Sequence, residues 1–190
     1  AGPLSETTVL LGETVDIAHS HGLPLLVDAA SALPPRSNLT KFVDMGADLV
    51  SFSGGKAVRG LQSTGMLLGD PRWVEYARLN NPPNDTVARA QKVSKEEVAG
   101  LLVALDAFLG EDEELETARY RRDMQVIVDQ VSEVPGVTAS VKHEPNYYIP
   151  HAVIEFGKSW AGPGSMEIGQ ALLAGEPRIY LRHGYPWFNG

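Results

Sequence analysis

The spacing of apolar and polar positions divides the chain into short helices and shorter strands. Val9, Leu10, Val15, Ile17 and Ala18 recur at helical intervals, which predicts a helix over about residues 5–21, N-capped by Ser5 and closed by His21-Gly22. Pro24 opens the run LPLLVDAA, apolar on both faces as buried parallel strands are. A Pro-rich loop over 31–38 leads into a short helix over about 39–45, which ends at Gly46. A strand over 48–52 follows. Gly54, Gly55, Gly60 and Gly65 mark a loop, and Met66-Leu67-Leu68 reads as a third strand. Helix, strand, helix and strand in this order predict an α/β sheet with right-handed crossovers.

Further along, residues 71–79 read as a short helix and 80–85 as a turn-rich connection. The segment SKEEVAGLLVALDAFL is a helix with a capping box formed by Ser94 and Glu97. Its apolar face is Val98, Leu101, Leu102, Leu105, Phe108 and Leu109, and Gly110 ends it. A second helix runs over about 112–132. Its acidic first turn suits the helix dipole, and Arg119, Arg121 and Arg122 read as a solvated face. After Pro135-Gly136 the pattern changes to strands over 137–141 and 151–156, a helix over 165–173 and a last strand over 178–181. We therefore divide the chain into residues 1–110 and residues 111–190, the second part a long helix with a small α+β unit.

Composition narrows the class. With 43% hydrophobic and 21% charged residues over 190 positions, the chain is globular. It contains no cysteine, which excludes disulfides and thiolate metal sites and fits a cytoplasmic protein. A net charge of -8 disfavours a nucleic-acid surface. No apolar run approaches the ~20 residues of a membrane span, and the start carries no pattern of a signal peptide. The five histidines are too scattered for a metal-site spacing.

Two polar residues stand out against this background. Leu25-Leu26-Val27 runs into Asp28, and Leu49-Val50-Ser51-Phe52 runs into Ser53-Gly54-Gly55-Lys56. In open α/β sheets ligands bind beyond the carboxyl ends of the strands, where both stretches fall. A carboxylate ending one strand and a lysine just past the next match the needs of pyridoxal 5'-phosphate (PLP). The carboxylate keeps the pyridine nitrogen protonated, and the lysine holds the aldehyde as a Schiff base. The bland alternative is an aspartate that caps a helix or loop. Gly55-Lys56 is not the end of a P-loop, because Val50 and Ala57 occupy the positions of its first glycine and its Ser or Thr.

VDAASALPP, NLTKF, GADLVSFSGGKAVRG, LQSTGMLLGD and KVSKEEVAGLLVALDAFL, in this order, resemble the selenocysteine-synthase-like branch of the fold-type I PLP enzymes. That branch includes L-seryl-tRNA selenium transferase and D-glucosaminate-6-phosphate ammonia lyase. The resemblance is dense over 22–109 and thin over 111–164, and GEPRIYLR resembles the family's closing strand. It implies the C-terminal part of a PLP-dependent transferase (aspartate aminotransferase-like) large domain, followed by a small α+β domain, with the first half of the large domain preceding residue 1. It also implies roles for particular residues. Asp28 pairs with the ring nitrogen, and Lys56 forms the imine and then serves as the proton-transfer base. Ser53 donates to the cofactor phosphate, and Gln62, Ser63 and Thr64 lie in a loop that helps hold it. Arg182 clamps a substrate carboxylate. Arg59 could add a positive charge near the phosphate. One departure is Gly60-Leu61-Gln62, where the family often reads Gly-Pro-Gln.

The resulting expectation is a PLP enzyme acting on a small amino acid or amino-sugar acid, by elimination of the ammonia-lyase type, in a homodimer or larger homo-oligomer. Aminotransfer or racemisation on the same scaffold, seryl-tRNA selenium transfer, and a truncated non-catalytic remnant are the alternatives.

Overall fold

The computed structural model describes residues 9–143 and 149–181, a mixed α/β chain. It folds as two compact units, Thr7–Glu113 and the segment from Glu114 onward.

The first unit begins with helix α1 (Leu11–Ser20), shorter than the 5–21 expected. Glu13 sets its start by accepting a hydrogen bond from the Leu10 N–H at 3.0 Å. The proposed cap, Ser5, lies outside the described residues. His21 and Gly22, the latter at φ 67°, close it. Strand β1 (Leu26–Asp28), helix α2 (Asn38–Asp44), strand β2 (Leu49–Ser53), strand β3 (Gly65–Gly69), helix α3 (Pro71–Leu79) and helix α4 (Lys95–Gly110) follow. The capping box of α4 forms as expected: Ser94 Oγ accepts from Glu97 N–H at 3.1 Å, and Glu97 accepts from Ser94 N–H at 2.8 Å.

The parallel pair joined through α2 forms as expected, whereas the burial expected of β1 on both faces does not. β1 and β2 are parallel, with Asp28 opposite Ser51, but β3 runs antiparallel to β2, with Ser53 opposite Gly65. The 54–64 connection contains no crossover helix, so it can only turn the chain back. The sheet order is β1-β2-β3, which leaves β1 at an edge. It is therefore not buried on both faces: Leu26 is 55% exposed.

The core lies against one face of β2. Val50 and Phe52 are buried on it, and Leu49, Ser51 and Ser53 point to the other side, as strand alternation requires. Leu33, Ala47, Val58, Leu101 and Phe108 complete the buried cluster, flanked by Phe42 of α2 and Leu105 of α4. Only one stripe of the α4 apolar face takes part. Leu101 and Phe108 are buried, but Leu102 is 62% exposed and Val98 and Leu109 are also open to solvent. The apolar arc of α4 is wider than the surface that this unit offers it.

The second unit holds most of helix α5 (Glu113–Val131), an antiparallel strand pair β4 (Val137–Lys142) and β5 (His151–Phe156), and helix α6 (Ser165–Ala174). Phe156 packs on Trp160 with ring centroids 5.2 Å apart. No strand forms over 178–181, contrary to expectation. Ile179 N–H instead bonds back to Leu172 O at 3.0 Å, which folds this segment against α6 and takes a donor that a sheet would need.

Candidate active site

The carboxyl ends of β1 and β2 are adjacent because the two strands are parallel and in register from Leu26–Leu49 to Asp28–Ser51. Partners in a parallel pair share a face, so Asp28, Ser51 and Ser53 lie together on the side of the sheet opposite the Val50–Phe52 core. Asp28 is exposed, and its Oδ1 accepts a hydrogen bond from Ala30 N–H at 3.0 Å, a short loop-capping contact. Among the described residues nothing covers the face of β1 that carries Asp28 and Leu26. Ser53 is half-buried, and its hydroxyl has no hydrogen bond among the described residues.

Lys56 is brought back towards β1. Its Nζ donates to Ser31 Oγ at 2.7 Å, in the loop that begins just after Asp28. No ion pair engages Lys56 or Asp28 among the described residues. Sequence reasoning missed Ser31, although its place three residues past Asp28, beyond a strand end, was a usable signal.

The turn that carries Lys56 is fixed by close backbone packing. A Cβ at Gly54 would run into Thr64 Oγ1 and stand 2.7 Å from Leu101 Cδ1, and one at Gly55 would stand 2.7 Å from Gln62 Cα. Glycine is thus required where the 54–56 turn presses on the 61–64 loop. The three polar residues of that loop donate within the fold. Gln62 Nε2 bonds Gly55 O at 3.0 Å, Thr64 Oγ1 is buried and bonds Leu61 O at 2.6 Å, and Ser63 Oγ donates to Glu97. Glu97 is held below the usual glutamate range, first by the Ser63 hydroxyl and then by the Ser94 N–H. Arg59, at φ 61°, pairs with Glu111. Arg182 lies outside the described residues.

A cation elsewhere in this unit does structural work that the sequence did not disclose. Arg36 Nη1 donates to the carbonyls of Phe108 at 3.3 Å, Leu109 at 2.6 Å and Glu111, and its backbone N–H donates to Glu113 Oε1 at 2.6 Å. It caps the negative end of α4 and ties to it the Pro-rich loop that follows Ser31.

The donor set fits a PLP-type ligand in chemistry: an amine, a carboxylate and a hydroxyl at the carboxyl ends of β1 and β2, with neither charge in an ion pair among the described residues. Comparison with known proteins agrees on the lineage. The family model described as L-seryl-tRNA selenium transferase matches residues 6–167. The chain is 31% identical over 175 residues to a 5'-C-glycyluridine monooxygenase-decarboxylase from Streptomyces, covering 92% of this chain and 42% of that protein. It is 27% identical over 173 residues to a D-glucosaminate-6-phosphate ammonia lyase from Salmonella typhimurium, covering 90% and 44%. With an L-seryl-tRNA(Sec) selenium transferase from Clostridium perfringens it shares 24% identity over 168 residues, covering 84% and 35%. The chain thus spans less than half the length of these relatives. The chain belongs to the L-seryl-tRNA selenium transferase family.

Proposed function

We propose that this chain supplies the imine-forming and ring-nitrogen part of a pyridoxal phosphate site in an enzyme acting on an amino acid or amino-sugar acid. The observation that carries the reading is the Lys56 Nζ–Ser31 Oγ contact of 2.7 Å, which draws the lysine towards the strand end that carries Asp28. When bound, the cofactor supplies an electron sink for the electrons left at the substrate Cα. Lys56 would hold the cofactor aldehyde through its amine, and the same amine would be the base for the substrate Cα proton. Asp28 keeps the pyridine nitrogen protonated by offering it a counter-charge. The Ser53 hydroxyl donates to the phosphate. Gln62, Ser63 and Thr64 hold the loop shape behind that contact, and Arg182 receives the substrate carboxylate.

Elimination of a β substituent, as the name of the ammonia lyase relative suggests, is the reaction we favour. The relatives carry names for three different reactions, so the scaffold alone leaves aminotransfer, racemisation and selenium transfer as alternatives. The same family setting favours a homo-oligomer.

The test is cofactor capture. Purified chain mixed with PLP should develop an absorbance band above ~400 nm, the range of protonated imines of this cofactor. Borohydride should then fix the cofactor to the peptide containing Lys56. If neither occurs, or if Lys56→Ala still captures cofactor covalently, the proposal fails for this chain.

A further inference from the structure

The second unit contains a cavity of about 640 Å³ beside the amino-terminal half of α5 and His143, just past β4. Glu114, Thr117, Arg121, Arg122 and Gln125 line it along α5. Positions 114, 117, 121 and 125 follow the spacing of one helix face. Glu114, Arg121, Arg122 and Gln125 are exposed and Thr117 is half-buried, so the cavity opens to solvent, while Val128 is the buried position of the helix.

Arg121 Nη2 lies 3.1 Å from His143 Nδ1. Arg121 thus contacts an imidazole and not a carboxylate. Neither Arg121 nor Arg122 enters an ion pair among the described residues, in a chain with 24 acidic against 16 basic side chains. Two adjacent guanidiniums left without counter-charge in a concave site are suited to a planar or tetrahedral oxyanion. Gln125 and Thr117 add further donors, and Glu114 is the one carboxylate among the lining residues. Donors thus outnumber acceptors, which favours a group with three terminal oxygens. The chain's net charge of -8 keeps the ligand small, since a polyanion would be repelled.

We propose that this cavity binds a small phosphomonoester, whose phosphate oxygens accept from the guanidiniums of Arg121 and Arg122. The proposal does not depend on the reading given to Lys56.

Calorimetric titration of the full chain with phenyl phosphate, at constant ionic strength, should give saturable binding of one equivalent. Arg121→Gln and Arg122→Gln should each weaken it at least ~10-fold, the size of a lost charge-assisted hydrogen bond. Arg119→Gln should leave it unchanged, because that guanidinium sits 5.3 Å over the Tyr120 ring and does not line the cavity. Far-UV circular dichroism melts check that the variants fold. Should Arg121→Gln not fold, Arg122→Lys, which keeps the charge but loses the planar fork, should still bind measurably more weakly. Absence of saturable binding, or equal weakening by Arg119→Gln, would overturn the proposal. Benzoate binding as tightly as phenyl phosphate would overturn the phosphate assignment.

Discussion

The two ends of the parallel pair β1–β2 each carry an aspartate, and the two carboxylates are used in opposite ways. At the amino end, Asp48 Oδ2 accepts from Leu25 N–H at 2.7 Å and lies 2.8 Å from His19 Nε2. It bridges the starts of both strands and the end of α1. The His19 contact, with the Leu25 bond second, holds its carboxyl below the usual aspartate range. At the carboxyl end, Asp28 makes one bond to its own loop and otherwise faces solvent. A carboxylate with its acceptor sites filled by the fold stabilises the sheet. One with them open is available to a ligand, and the free Ser53 hydroxyl beside it points to the same conclusion.

The sharpest way to break this contrast is to remove each carboxylate in turn. Asp28→Asn is expected to lower PLP retention ~10–100-fold, as loss of a charged hydrogen bond does, while the melting temperature stays within ~1 °C of the parent. A large drop in melting temperature would instead make Asp28 structural. Gly54→Ala tests whether the open end depends on a rigid turn. The added methyl meets Thr64 and Leu101, so urea denaturation should show a loss of about 1–3 kcal/mol. An unchanged midpoint would mean that the turn is free to move.

Asp48→Ala should cost about 1–2 kcal/mol of stability at neutral pH, with PLP capture retained in the folded fraction. The smallest effect is its pH dependence. Because the folded-state pKa of Asp48 is lowered, its contribution is present above the unfolded value of ~3.9 and is lost as pH falls through the folded value. The stability gap between parent and Asp48→Ala should therefore hold at pH 6 and shrink progressively as the pH is taken below the unfolded value. A gap that persisted in acid would assign the effect to packing and not to charge.

How much of this was legible depended on whether a feature is local. The Ser94–Glu97 box, the helix at Pro71–Leu79 and the two strands of the second unit follow from patterns within a few residues. Strand direction does not: the apolar run Met66-Leu67-Leu68 carried no direction, and β3 is antiparallel to β2. The shortness of 54–64 held that answer, since a parallel connection needs about a dozen residues or more. Their places past strand ends, and then the family resemblance, singled out Asp28 and Lys56; register sets Asp28 opposite Ser51, and the Ser31 contact draws Lys56 towards that strand end. Ser31 as the partner of Lys56, and Arg36 as the cap of α4, escaped because each pairing spans a long stretch of chain. The strand over 178–181 failed because β-branched and aromatic residues state a preference, and only a neighbouring edge can satisfy it.

The Arg36 cap has a bearing on when the protein can mature. The loop following Asp28 is secured by atoms at residues 108–113, between 72 and 77 positions later in the chain. During synthesis β1 and β2 emerge first, but their ligand-side loop lacks the Arg36 anchor until α4 has been translated in full. A nascent chain interrupted before residue 108 would carry both Asp28 and Lys56 and still lack that anchor.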